Sequence, residues 1–364
     1  IGLLRWQGDW RALRTDYPQG EPAMSRQISG GYLLFLGHCR SKLDAKTANG
    51  ILQWQPDRCI AQFRLSEDTV DIGLPDMNPA EAVASGGRTM VIGIAPIGGA
   101  IQPEWVQPII AALEAGMDVA AGMHSKLSDH PEIAAAARAS GRKLFDVRHA
   151  SGKQPIATGV KRPGRRLLTV GTDCASGKKY TALAVHAEMA KRGLKATFRA
   201  TGQTGILIAG EGVAIDAVVS DFAAGAAESL SPNNHSDHWD VIEGQGSLFH
   251  PAYAGVSLSL LHGSQPDAII VCHEPGRQHI DDYPSYLLPD IKACIDANLA
   301  AARLTNPDVR CVGIALDTSR LDDTERDAAF RKMSAKTGLL VFDPVATGAS
   351  ELVDLLIRTW PESE

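Results

Sequence analysis

Residues 171–181 carry the densest set of groups able to bind an anion. The run Gly171-Thr172-Asp173-Cys174-Ala175-Ser176-Gly177-Lys178-Lys179-Tyr180-Thr181 follows a short apolar stretch, Leu167 to Val170, and opens a helix-forming stretch, Tyr180 to Lys191. Strand, glycine loop, lysine and helix is the build of a phosphate-binding loop. N–H groups at a helix start are unpaired and partly positive, glycines let the backbone come close, and Lys178 adds a point charge. All of these residues except Asp173 are candidate cofactor ligands. The spacing departs from the common pattern. Five residues, Thr172 to Ser176, separate Gly171 from Gly177-Lys178, one more than usual. Lys179 stands where a Ser or Thr normally holds magnesium, and the next hydroxyls are Tyr180 and Thr181. The phosphate cradle is sound, and no metal site is assigned. The bland alternative is a strand–helix turn without a ligand.

Other candidates sit where strands end. Glu243 closes the short run Trp239 to Ile242 and precedes Gly244-Gln245-Gly246, which leaves room for a ligand. An acid there can hold a magnesium-bound water or orient a nucleophile, or it caps a turn; Glu243 is a catalytic candidate. Asp173 lies inside the loop, where a carboxylate is unfavourable beside phosphates unless a cation intervenes. It is expected to meet a metal or substrate amine, or to cap the helix. His273 and His124 could act as bases, or be structural histidines near strand ends. Arg199 and Arg277 could fork onto substrate carboxylates, or form surface ion pairs. Thr201, Gln203 and Thr204, with Gly244 and Gln245, complete the expected substrate contacts. A helix start lowers a thiol's pKa, yet Cys174 is read as a small residue that leaves space. His235 and His238 lack further ligands for a metal site.

The elements that must position these groups alternate. Expected strands are Tyr32–Leu36, Cys59–Phe63, Met90–Ala95, Asp118–Ala121 and Lys143–Asp146, with helices at 42–52, 104–115 and, capped by Asp129 with Pro131 in its first turn, 129–139. Such alternation means a parallel, doubly wound sheet, with ligands at the carboxyl ends of its strands. That puts Gly98-Gly99 and Gly122-Met123-His124 on the ligand edge. After 149–166, read as a linker with basic and Pro/Gly-bearing residues, the pattern resumes. Strands are expected at 167–170, 196–200, 239–242, 268–272, 312–316 and 339–342, with a helix at 223–230 and another at 350–359. The expected division is an irregular arm at 1–29, a Rossmann-like domain at 30–148, the linker, and a phosphate-loop domain at 167–364.

The 364 residues are 44% hydrophobic and 21% charged, with net charge −6, ordinary for a globular chain. Nothing favours nucleic acid or an anionic membrane as partner, so an anion must be caught locally. Six scattered cysteines without a Cys-x-x-Cys pair suit reduced thiols in the cytoplasm. The first residues carry charges and two tryptophans, unlike a signal peptide.

The loop, with Thr201-Gly202-Gln203-Thr204-Gly205, Asp221-Phe222, Glu243-Gly244-Gln245-Gly246 and His273-Glu274-Pro275-Gly276-Arg277, resembles a bacterial and archaeal family long called a domain of unknown function. That family includes D-glutamate N-acetyltransferases. Ala45-Lys46-Thr47-Ala48, Gly93 to Gly99, and His124 through Asp129-His130-Pro131-Glu132 to Asp146-Val147-Arg148 match its amino-terminal half. The resemblance spans roughly residues 30–360. It implies an α/β protein with a Rossmann-like domain followed by a P-loop NTPase-like domain. The loop is also similar to that of dethiobiotin synthetase, except that Lys179 replaces its Thr. What the family implies is an acyltransferase that moves acetyl from acetyl-CoA to the amine of a D-amino acid such as D-glutamate. The alternatives are an enzyme using ATP with Mg and a nucleotide-regulated binding protein. The partner is a small-molecule substrate, and a homo-oligomer is left open.

Overall fold

Short β-prone runs separated by longer helical segments build two parallel sheets. The structure is a computed structural model that describes residues 27–41, 44–94, 99–149 and 154–361. The arm up to residue 26, the expected helix start at Lys42, the turn Ala95–Gly98, residues 150–153 of the linker and 362–364 lie outside the described residues.

The first sheet alternates β1 (Tyr32–Gly37), α1 (Lys46–Trp54), β2 (Cys59–Arg64), α2 (Pro79–Ala84), β3 (Thr89–Ile92), α3 (Val106–Glu114), β4 (Asp118–Ala121), α4 (Pro131–Ser140) and β5 (Leu144–Asp146). Its order is β2-β1-β3-β4-β5, and every pairing is parallel. β1 is buried along its whole length, as expected of a strand covered on both faces. The sheet reverses its winding between β1 and β3, which opens a crevice at their carboxyl ends. α1 begins there, and its Ala48 N–H donates to the Gly93 carbonyl at 2.8 Å. Asp129 is not the cap of α4. Proline disfavours helical backbone in the residue before it, so the extended residue before Pro131 is His130.

The second sheet contains β6 (Arg165–Gly171), α5 (Lys178–Lys191), β7 (Ala196–Arg199), α6 (Gln203–Ala209), α7 (Ser220–Leu230), β8 (Trp239–Ile242), α8 (Ala254–Ser264) and β9 (Ala268–His273). It continues through a small hairpin, β10 (His279–Ile280) and β11 (Tyr283–Leu287), to α9 (Ile291–Arg303), β12 (Arg310–Leu316), α10 (Asp323–Thr337), β13 (Val341–Phe342) and α11 (Ser350–Thr359). The order is β13-β12-β9-β6-β8-β7. The chain winds from β6 to one side and then the other, so the crevice lies at the carboxyl end of β6. Successive side chains of β6 face opposite ways. Leu167 joins a core that also holds Leu34, Ile92 and Ile206, while Leu168 joins a second core with Leu230, Leu261 and Ile314.

The first core therefore runs without a break through both sheets. Polar contacts cross the same seam. Tyr32 Oη donates to the Leu207 carbonyl at 3.1 Å, and Arg58 Nη1 to that of Ala209 at 2.9 Å. The seam also reaches the carboxyl end of β4. A Cβ on Gly122, just past β4, would stand 3.0 Å from Gln203.

The basic stretch 161–166 is not a free linker. β6 starts at Arg165, and Arg166 is fully buried. Its guanidinium donates to the carbonyls of Arg162, Pro163, Gly164, Ser231 and Pro232. A buried carbonyl left without a donor costs about 1–3 kcal/mol. Arg166→Met is thus expected to lower unfolding free energy by at least about 3 kcal/mol, measured by urea denaturation.

Candidate active site

The loop between β6 and α5 is held by its own lysine and by an arginine from outside. Gly177 caps α5 at φ 91°, a left-handed conformation that glycine adopts without strain. Lys178 is buried. Its Nζ donates to the Asp173 carbonyl at 2.6 Å and Ser176 Oγ at 3.4 Å. Burial pushes its ammonium below the usual range, so an anion arriving here would restore its charge.

Asp173 is fully buried. Its Oδ1 accepts the Cys174 N–H at 2.6 Å, and its Oδ2 accepts Arg277 Nη1 at 2.9 Å and the Asp281 N–H at 2.8 Å. Arg277 also donates to the Cys174 carbonyl at 3.0 Å and, through Nε, to Glu274 at 2.9 Å. Arg277, expected to hold a substrate carboxylate, is therefore committed to the loop, and Asp173 is neutralised by it. Ligand atoms of Asp173, Cys174 and His250 lie within 4.8 Å of one another. Arg277 already fills the carboxylate, however. His250 Nδ1 accepts the Ala252 N–H at 3.1 Å, so its Nε2 bears the proton and offers no lone pair.

Beside the loop opens a cleft of about 340 Å³, lined by Lys178, Lys179, Gln203, Thr204, Glu243 and Gln245 among others. Glu243 is 3% exposed. Its Oε2 accepts the N–H groups of Thr201 at 2.9 Å and Gly202 at 3.1 Å, and its carbonyl accepts the Thr201 hydroxyl at 2.6 Å. Burial pushes the Glu243 carboxyl up, against those N–H groups and the Lys179 charge. A raised carboxyl is a better base near neutral pH. Gln245 Nε2 donates to Thr201 Oγ1 at 3.2 Å. A side chain at 244 would put its Cβ 1.7 Å from the Thr169 carbonyl, so only glycine lets this turn lie against β6. Gln203 and Thr204 sit on α6, where a plain turn was expected.

Arg199, His273 and Thr181 also lie away from the cleft. Arg199 points into the fold, where Nε donates to Asp240 at 2.7 Å and Asn234 shares that carboxylate. Charged residues in a strand interior are tolerated when paired. His273 Nδ1 lies 3.1 Å from the Thr172 hydroxyl, and burial pushes its pKa down to about 4, which leaves a weak base. Thr181 turns its hydroxyl back to the Gly177 carbonyl at 3.0 Å and accepts from the buried Cys272 thiol at 3.4 Å. Burial raises the thiol of Cys174, and raises that of Cys272 to about 11. Asp317 is a further acid at the site, outside the candidates named from the sequence. It follows β12 and borders both this cleft and a neighbouring one of about 430 Å³ that Tyr180, Thr318 and Val345 also line. An acid after an apolar strand was the available signal.

Two parallel α/β sheets that share one apolar core, one with a lysine-bearing phosphate loop, define a Rossmann-like unit joined to a P-loop unit. Residues 154–353 match the profile of a domain of unknown function, the DUF1611_C P-loop domain, and residues 63–150 match that of the DUF1611_N Rossmann-like domain. The chain belongs to the DUF1611 family. A D-glutamate N-acetyltransferase of Tritonibacter scottomollicae is 51% identical over 329 residues, 90% of this chain and 99% of that one. A second, from a Pseudoalteromonas species, is 44% identical over 327 residues, 90% and 98% of the two chains. The crystal structure of a DUF1611 family protein from Anabaena variabilis is 34% identical, with a TM-score of 0.77, and covers 92% of this chain and all of that one. The chain is an enzyme of the acyltransferase class, an N-acetyltransferase. No helix among the described residues is long and apolar enough to cross a membrane.

His273 makes stability depend on pH. The unfolded histidine binds a proton near its ordinary pKa, about 6.5, and the folded one only near 4. Its contribution is complete above the higher value and is lost as pH falls toward the lower. His273→Gln is expected to flatten that segment of the denaturation midpoint against pH, followed by circular dichroism.

Proposed function

We propose that the enzyme transfers acetyl from acetyl-CoA to the amine of an acidic D-amino acid such as D-glutamate. One observation carries this reading: a lysine-bearing phosphate cradle opens directly onto a cleft whose carboxylate, Glu243, is raised by burial. The relatives that bear the D-glutamate N-acetyltransferase name supply the acceptor class.

On this reading, Lys178 and the loop amides take phosphates of coenzyme A. The neighbouring cleft beside Tyr180 offers room for the rest of the molecule. The acceptor's ammonium must lose a proton before it can attack, and Glu243 receives it. The amine nitrogen then bonds to the thioester carbonyl carbon. The carbon–sulfur bond breaks, and the leaving thiolate takes up a proton. Backbone N–H groups at the loop would steady the oxyanion. The ATP alternative has less support: Lys179 offers no hydroxyl to a magnesium ion, and that of Thr181 is bonded within its own helix.

Lys178→Ala is expected to weaken the stabilisation by acetyl-CoA in a thermal-shift assay and to cut acetylated product about tenfold to a hundredfold, the worth of a charge-assisted bond. Unchanged turnover would remove the loop from the mechanism. Glu243→Gln keeps an acceptor for the Thr201 and Gly202 N–H groups and removes the base. It should lower kcat about a hundredfold or more and abolish the acidic limb of the kcat/KM profile.

A further inference from the structure

Both arginines expected to grip the acceptor's carboxylates are occupied elsewhere, Arg199 by Asp240 and Arg277 by the loop. The acceptor needs other cations, and the seam between the two halves supplies them. We propose that Lys46, from the Rossmann-like half, and Lys179, from the P-loop half, together bind a carboxylate of the acceptor, which therefore bridges the two halves. This rests on the acetyl-transfer reading for the identity of the acceptor.

The geometry comes from α1. It starts at Lys46, on the carboxyl edge of the first sheet and at its winding reversal. Positions 46, 50 and 53 fall on one face of a helix. On that face, a Cβ at Gly50 would lie 3.5 Å from Thr204 Cγ2, and Gln53 borders the cleft beside Ser176 and Gly177. The next residue, Trp54, holds its ring 6.2 Å from that of Tyr180. This face of α1 therefore covers the loop half, and Lys46 is its leading end. Lys46 is exposed and makes no hydrogen bond or ion pair among the described residues.

Lys179 lines the cleft, with Nζ 4.7 Å from the centre of the Tyr180 ring. Burial lowers its ammonium, Glu243 opposes that, and the charge of Lys46 lowers it further. The charge of Lys46 thus reaches Lys179 across the seam between the two halves. Like charges held this close are unfavourable until an anion sits between them. Lys178 lies on a different side of α5 and is turned into the loop, which assigns phosphate to Lys178 and carboxylate to the pair.

Lys46→Gln is the test, because an exposed side chain can be changed without loss of the fold. The variant should raise KM for D-glutamate about tenfold or more, with kcat and the KM for acetyl-CoA near wild type, and Lys46→Arg should recover part of the loss. Thermal shift by D-glutamate, read without acetyl-CoA, should be present in wild type and reduced in Lys46→Gln. A rise confined to the acetyl-CoA KM, or equal D-glutamate stabilisation of both proteins, overturns the proposal. So does a wild type that D-glutamate does not stabilise. Stabilisation of wild type alone, without acetylated product, would support the pair and refute the transfer reading.

Discussion

A carboxylate buried inside a loop built to hold anions must be neutralised before the loop can work. Asp173 and Arg277 meet that constraint. The guanidinium pairs with the carboxylate and also bonds the Cys174 carbonyl, while the Asp281 N–H closes the remaining side. The pair cancels the field that would repel phosphate, and it fixes the loop against the segment that follows β9. Breaking such a buried pair from one side leaves an uncompensated charge. The loop's shape therefore depends on residues a hundred positions away, and the small hairpin of β10 and β11 belongs to the same assembly.

The two halves are coupled by more than a chain connection. One apolar core runs through both sheets, and the hydrogen bonds of Tyr32 and Arg58 seal it near α6. The crevice of the second sheet lies at its carboxyl edge, and α1 of the first half packs over the loop there. The amino-terminal half thus helps to wall a site whose phosphate loop lies wholly in the other half. Glu243 links the parts of that site: its side chain fixes the turn after β7, and Gly244 presses the turn after β8 against β6.

Much of this was legible in the residues. The alternation of apolar runs and helical stretches gave both parallel sheets, and the loop from Gly171 to Lys178 placed the cradle. Glu243, Gln203, Thr204 and Gln245 do gather at one cleft. Most of the misses share a cause. α8 is apolar or small on much of its surface, so periodicity does not mark it, and α10 is polar all round; α9 buries Ile291, Cys294, Ile295 and Asn298 at helical spacing, a signal the sequence does carry. α8 owes its helicity to packing, and α10 is started by the capping box of Asp322 and Glu325. Arg199 and Arg277 were judged by position along a strand, but which partner a long side chain reaches is decided by sequence-distant carboxylates. Lys46 was visible only as part of a matching tetrapeptide, since its relation to Lys179 exists only once α1 packs on α6.

The thiols near the loop have a chemical consequence. Burial keeps Cys174 and Cys272 protonated, and the thiolate is the reactive form. An activated thioester delivered to this loop would meet no competing sulfur nucleophile in its wall. Acyl transfer in such a pocket would go to nitrogen, and the protein would be spared from acylating itself.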